Sequence, residues 1–218
     1  MRVLYYHEDP ARHASSLMIM LPGALQDPEE FRHTGFVDAL RGYHPDFDVA
    51  LVDPALQFIG DALEPDTVRA LHDSVVRPAL ANYPRIWMTG ISLGGFLALS
   101  HAACYPGQLK GLCLLAPYPG TRMRRQEPVL QEGTPASPDG EGGVDLEQSV
   151  WHWLRCREQD ATRLWLGYGA QDRFADGLRK MEKWMPQQRA EVIDGGHDWD
   201  AWQHLWDTFL RSDYLRQV

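Results

Sequence analysis

Arg85-Ile86-Trp87-Met88-Thr89-Gly90-Ile91-Ser92-Leu93-Gly94-Gly95 carries a short apolar run into a serine with small neighbours, and out again into an Ala/Leu-rich stretch with no proline before Tyr105. The run ending at Thr89 has strand length, and Leu93–Tyr105 has the composition of a helix. A serine on so tight a strand-to-helix turn takes a strained backbone conformation, and bulky residues two before or two after it would collide across the turn. Gly90 and Gly94 meet that constraint. The turn presents the Ser92 hydroxyl at a helix N-terminus, where free amides and the helix dipole favour developing negative charge. The stretch reads as a nucleophile elbow. The competing readings are a plain turn or a phosphate-cradling loop; the latter lacks both the Gly-Lys-Ser/Thr ending and the spaced G-x-G-x-x-G pattern with a later acidic residue.

Outward from the elbow, apolar runs of strand length alternate with helical patterns. Leu17–Leu21 precedes Glu29–Arg41, Val49–Val52 precedes Pro65–Asn82, Ile86–Ile91 precedes Leu93–Tyr105, and Leu109–Ala116 follows. This is the rhythm of a mostly parallel α/β sheet with helices on both faces. After Pro117 the composition changes, with scattered Pro and Gly and three arginines, Arg122, Arg124 and Arg125. Residues 118–160 read as a short lid insertion that contains one helix, Val144–Arg157. The alternation then resumes with Thr162–Tyr168, Ala175–Met185 and Ala190–Ile193. A last helix starts near Asp198, and its Trp199, Trp202, Trp206 and Phe209 recur at three- and four-residue steps, a stripe expected to pack on the sheet.

With 218 residues and 44% hydrophobic composition, the chain has enough apolar material for one substantial core, and a single domain spanning 1–218 is expected. A net charge of -9 argues against a nucleic-acid backbone or an anionic membrane as the main partner. The N-terminal residues lack the apolar centre of a signal peptide, and Leu17–Leu21 is too short to span a bilayer. The three cysteines, Cys104, Cys113 and Cys156, are odd in number and set in apolar stretches, as reduced packed thiols would be. A cytoplasmic protein is expected.

A serine hydroxyl needs a base to take its proton, usually a histidine oriented by a carboxylate. Ligands of open parallel sheets bind at the carboxyl ends of the strands, so residues just after strands share one rim. Asp172 follows the run ending at Tyr168, and His197 follows the run ending at Ile193. Asp172 has a competing role as a helix cap or turn former, with Asp176 and Asp145 as substitutes for it; Asp194 and Asp198 flank His197 too closely to orient its ring. A metal site built from Asp194, His197, Asp198, Asp200 and His204 lacks ligand spacing, and these acids read instead as a helix start.

The order serine, acid, histidine, with Pro22-Gly23-Ala24 after the first strong strand, resembles the α/β-hydrolase superfamily over most of the chain. Gly195-Gly196-His197-Asp198-Trp199 is similar to a segment of the esterase D group, which includes S-formylglutathione hydrolases and feruloyl esterases. The resemblance implies Ser92 as nucleophile, His197 as base and later acid, and Asp172 as the holder of the imidazole tautomer. It implies an oxyanion hole from the Leu93 amide plus that of Ala24 or Leu25; Pro22-Gly23 stands where the family commonly has His-Gly. It also implies a carboxylesterase-like serine hydrolase for small or medium esters or thioesters, with an acyl-enzyme intermediate and no cofactor or metal. A non-catalytic binder of small ligands on the same fold, and a C–C hydrolase or acyltransferase using the same triad, are the alternatives. Arg122, Arg124 and Arg125 are candidate anion contacts for substrate, and Trp151 and Trp153 are candidate pocket walls.

Overall fold

A computed structural model describes residues 1–7, 14–121, 145–157, 160–184 and 189–215. Its seven strands are β1 Arg2–Tyr6, β2 Ser16–Leu21, β3 Phe47–Asp53, β4 Arg85–Ile91, β5 Gly111–Leu115, β6 Arg163–Gly169 and β7 Arg189–Ile193, in the order β1-β3-β2-β4-β5-β6-β7. From β3 to β7 every neighbouring pair is parallel; β1 alone runs antiparallel, on β3. Strands buried on both faces read as unbroken apolar runs rather than alternations, and every residue of Ser16-Leu17-Met18-Ile19-Met20-Leu21 is buried. The parallel strands all end on one rim, which receives Pro22, Ser92, Asp172 and His197 from four different strands.

The helices among the described residues are α1 Glu30–His33, α2 Phe36–Tyr43, α3 Ile59–Leu63, α4 Pro65–Leu71, α5 Arg77–Leu80, α6 Leu93–Cys104, α7 Leu146–Cys156, α8 Ala175–Lys183 and α9 Trp199–Arg211. The single helix expected over Glu29–Arg41 is two, broken at Gly35, whose φ of 81° no helix allows. The helix expected over Pro65–Asn82 is continuous but passes through a π-turn at His72–Val76. Pro78 is the physical reason: it has no N–H for the carbonyl of Ser74 and its ring crowds that carbonyl, and the wider turn just before it relieves both. Strand β1 and helix α3 were not expected. Each is short, and β1 is an edge strand of mixed burial without the signature of a parallel core strand.

Helix α6 is buried along its length from Leu93 to Ala103, with α3, α4 and α7 against it. On the other face, the aromatic stripe of α9 packs on the sheet as expected. Phe209 lies 5.4 Å from the Trp165 ring and 6.0 Å from that of Trp87. Trp206 stacks on Phe36 at 5.3 Å and donates its indole N–H to the Phe36 carbonyl at 3.0 Å, which ties α9 to α2. The cysteines are free thiols, but only Cys113 is a fully packed one; Cys156 is exposed. No helix among the described residues is long and apolar enough to cross a membrane.

Candidate active site

Strand β4 runs straight into Ser92, which takes φ 52° and ψ -115° before α6 begins. The region is strained for any residue with a side chain, and surrounding contacts hold it there. The Ser92 amide donates to the Leu115 carbonyl at 3.1 Å, and the Ser92 carbonyl accepts from Phe96 at 3.1 Å and Tyr118 at 2.8 Å. A Cβ on Gly90 would sit 2.6 Å from the Gly95 nitrogen, and one on Gly94 would sit 2.7 Å from the Leu21 carbonyl carbon, both inside van der Waals contact. Glycine at both positions is therefore a packing requirement.

His197 Nε2 lies 3.0 Å from Ser92 Oγ, and His197 Nδ1 lies 2.7 Å from Asp172 Oδ2. A carboxylate only accepts, so Nδ1 carries the hydrogen, and the neutral ring then offers Nε2 as acceptor for the serine hydroxyl. The Asp172 side chain is 0% exposed and that of His197 9%. Both of the roles considered for Asp172 are filled: Oδ1 accepts from the Phe174 amide at 2.7 Å, forming the turn, while Oδ2 faces the histidine. The substitute acids are engaged elsewhere: Asp176 pairs with Arg179 at 2.7 Å in solvent, and Asp145 caps α7 by accepting from Gln148 at 3.0 Å; Asp198 likewise caps α9, accepting from Ala201 at 3.0 Å.

The imidazole is held edge-to-face between two rings, Phe174 at 5.1 Å and Trp202 at 5.1 Å. Tyr118 packs behind Phe174 at 5.5 Å. The loops bearing Asp172 and His197 are laced together: Gln171 donates its amide to the Gly195 carbonyl at 3.0 Å, and its side-chain oxygen accepts from the Gly195 amide at 2.7 Å. Phe174, Gln171 and Gln26 were not singled out in the sequence. Phe174 stands two residues after Asp172, a spacing that was available as a signal; the lacing by Gln171 joins residues far apart in the chain and left none.

The amide donors near Ser92 differ. Leu93 and Ala24 have amides that donate to no other group among the described residues. The Leu25 amide is committed to the Leu56 carbonyl at 2.9 Å, and the Gly23 amide to Gln26 Oε1 at 2.6 Å. Of the two alternatives for a second donor, Leu25 is thus already engaged, and Ala24 is the one with an unused amide.

Arg122, Arg124 and Arg125 lie outside the described residues. The two tryptophans are not walls of this site. Trp151 is 0% exposed in the core, edge-on to Trp184 at 5.1 Å. Trp153 donates its indole N–H to Asp160 at 2.7 Å and lines a separate cavity of about 530 Å³ with Ala103 and Pro106. Ala103 stands eleven residues along α6 from Ser92, about 16 Å at helical rise. Of residues 118–160, the two described stems are joined: the Thr121 amide donates to buried Glu147 Oε1 at 2.6 Å, and α7 packs on α6.

No family model and no curated protein matches the sequence. Solved structures do match its shape. Est1E from Butyrivibrio proteoclasticus is similar with a TM-score of 0.67 at 17% identity, over 98% of this chain and 93% of that one. The same protein with bound ferulic acid has a TM-score of 0.70 at 16% identity, covering 99% and 94%. FphF, a fluorophosphonate-binding serine hydrolase of Staphylococcus aureus, has a TM-score of 0.65 at 14% identity, covering 96% of each. Sheet order, elbow and these likenesses agree: the chain has the α/β-hydrolase fold.

Proposed function

We propose that this chain is a serine hydrolase of small or medium carboxylic esters or thioesters, carboxylesterase-like in its chemistry. The observation that carries the reading is the unbroken hydrogen-bonded line from Ser92 Oγ through His197 to the buried Asp172 carboxylate, at 3.0 and 2.7 Å. Ser92 Oγ attacks the substrate carbonyl as His197 Nε2 takes its proton. The oxyanion of the tetrahedral intermediate accepts from the Leu93 amide at the head of α6 and the Ala24 amide in the loop after β2. The resulting imidazolium is stabilised by Asp172, then protonates the leaving alcohol or thiol, and leaves an acyl-serine ester. Water, deprotonated by the same nitrogen, releases the acid and restores the serine. Each step uses residues of this chain and needs no further group. The similar structures support the reading: among them are Est1E with ferulic acid bound, a ferulic acid esterase, a fluorophosphonate-binding serine hydrolase and a thioesterase domain.

The test is labelling of wild type, Ser92→Ala and His197→Ala with a fluorophosphonate probe, read by intact mass, beside hydrolysis of p-nitrophenyl acetate. The expected result is one label and turnover in wild type, and neither in the variants. Folded wild type that takes no label and turns over no ester would overturn it and leave the non-catalytic binder in its place.

A further inference from the structure

The described residues expose seven large hydrophobic side chains, and three of them stand on the two loops beside the nucleophile: Leu25 at 81%, Phe58 at 72% and Ile59 at 38%. Single exposed apolar residues need no explanation, but a cluster at a site's mouth does. The loops are tied to each other by the hydrogen bond from Leu25 to Leu56. They are also internally hydrogen-bonded. Asp61 Oδ2 accepts from the Gln57 and Phe58 amides at 2.8 Å each, and the Ala55 amide donates to Asp53 at 2.9 Å. Each loop carries a non-glycine residue in the left-handed region, Leu25 at φ 60° and Ala55 at φ 56°. For a leucine this conformation is unfavourable, and the surrounding structure holds it with the side chain turned to solvent.

The first of these loops passes directly beside Ser92. A Cβ on Gly23 would touch Ser92 Cβ at 3.4 Å, and Leu25 is two residues further, no more than about 7.6 Å of chain. Helix α3, which begins at Ile59, lies against α6, which begins at Leu93, the residue after Ser92. We infer that Leu25, Phe58 and Ile59 form the binding ledge for an apolar group of the ester, and that the substrates of this site are esters or thioesters with an extended neutral hydrocarbon or aromatic part. The inference rests on the proposed function. Contact with one side of a hydrocarbon chain removes about half of its surface from water, worth roughly twofold in binding per methylene.

The test compares wild type with Phe58→Ser and with Phe58→Ser/Ile59→Ser, both exposed positions. In one arm the acyl group varies, with p-nitrophenyl acetate, butyrate and octanoate below micellar concentrations. In the other the alcohol varies, with ethyl, butyl and octyl acetates. In wild type, kcat/KM is expected to rise with chain length in one arm, which identifies the part of the ester on the ledge. The double variant is expected to lose about tenfold of that octyl-over-short preference, and the single variant less. An unaltered chain-length dependence, or an equal fall for all substrates, overturns the inference while fluorophosphonate labelling of Ser92 leaves the hydrolase reading standing. Wild type that neither labels nor turns over any ester overturns both. A wild-type dimer that the double variant converts to monomer, with chain-length dependence intact, would assign the ledge to a second copy of the chain instead.

Discussion

Replacing Asp172 by Asn changes one atom and sets two donors against a single acceptor. In the native site, Oδ1 accepts from the Phe174 amide and Oδ2 from His197 Nδ1, both at 2.7 Å, in a pocket closed to solvent. Asparagine has one oxygen. If it serves Phe174, its NH₂ faces Nδ1, the ring hydrogen moves to Nε2, and the base can no longer accept from Ser92. If it serves His197, the Phe174 amide meets an NH₂, at a cost of about 1–3 kcal/mol for an unpartnered buried donor. To reach the working tautomer the variant must bear that cost, and it also lacks the charge that stabilises the imidazolium. The charge contributes about 4 kcal/mol at 4 Å with an effective dielectric constant near 20. The sum is about 5–7 kcal/mol, a fall of roughly 10⁴–10⁵ in kcat, with little change in stability, because the resting tautomer leaves no buried donor unpartnered. Stopped assays with p-nitrophenyl acetate and denaturant unfolding of the same preparations measure both. An Asp172→Asn enzyme within tenfold of wild type would refute the assignment of Asp172 to the histidine.

Further outcomes follow from the same structure. Gly94→Ala forces a Cβ against the Leu21 backbone and is expected to cost about 3–5 kcal/mol or prevent folding; Gly42→Ala, with no atom within 4 Å of its added carbon, should gain about 0.5–1 kcal/mol, both read by denaturant titration. Burial in α6 and the neighbouring His72, whose Nδ1 lies at 3.4 Å, push the His101 imidazole down to about 3. The unfolded chain then binds a proton that the folded chain refuses between about pH 6.5 and 3, so stability falls as pH drops through that window, by at most about 5 kcal/mol; His101→Gln should flatten unfolding free energy against pH there. Gln171→Ala unlaces the acid and base loops and should lower kcat about tenfold with little change in KM, seen in steady-state kinetics alongside intact secondary structure by circular dichroism.

The core strands were legible because a strand buried on both faces has no choice of residue type, and Leu17–Leu21 or Ile86–Ile91 can be little else. The elbow was legible for a similar reason, since steric exclusion at Gly90 and Gly94 leaves a mark on residue identity. Strand β1 left little: its antiparallel pairing with β3 defines it, and Arg2-Val3-Leu4-Tyr5-Tyr6 has strand-forming residues but not the unbroken buried run of the parallel strands. The break at Gly35 was hidden by the continuity of the apolar pattern from Phe31 to Leu40. At the candidate site, the order of Ser92, Asp172 and His197 followed from strand ends. The commitment of the Leu25 amide and the burial of Trp151 did not, because each depends on which distant segment happens to lie alongside. A tryptophan in a helix looks the same in sequence whether it lines a cavity or fills the core.

The hydrogen bond from Thr121 to Glu147 closes the base of the insertion that leaves and rejoins the sheet between β5 and β6. Below that clasp, Tyr118 is already fastened to the Ser92 carbonyl, and Asp145 already starts α7. Whatever chain is spliced between residues 121 and 145 therefore begins and ends at fixed neighbouring points, and the entropy of closing it grows only with the logarithm of its length. Positions 121 and 145 thus bracket a cassette: chain of different length and composition can be exchanged between them while Ser92 and its turn remain as they are.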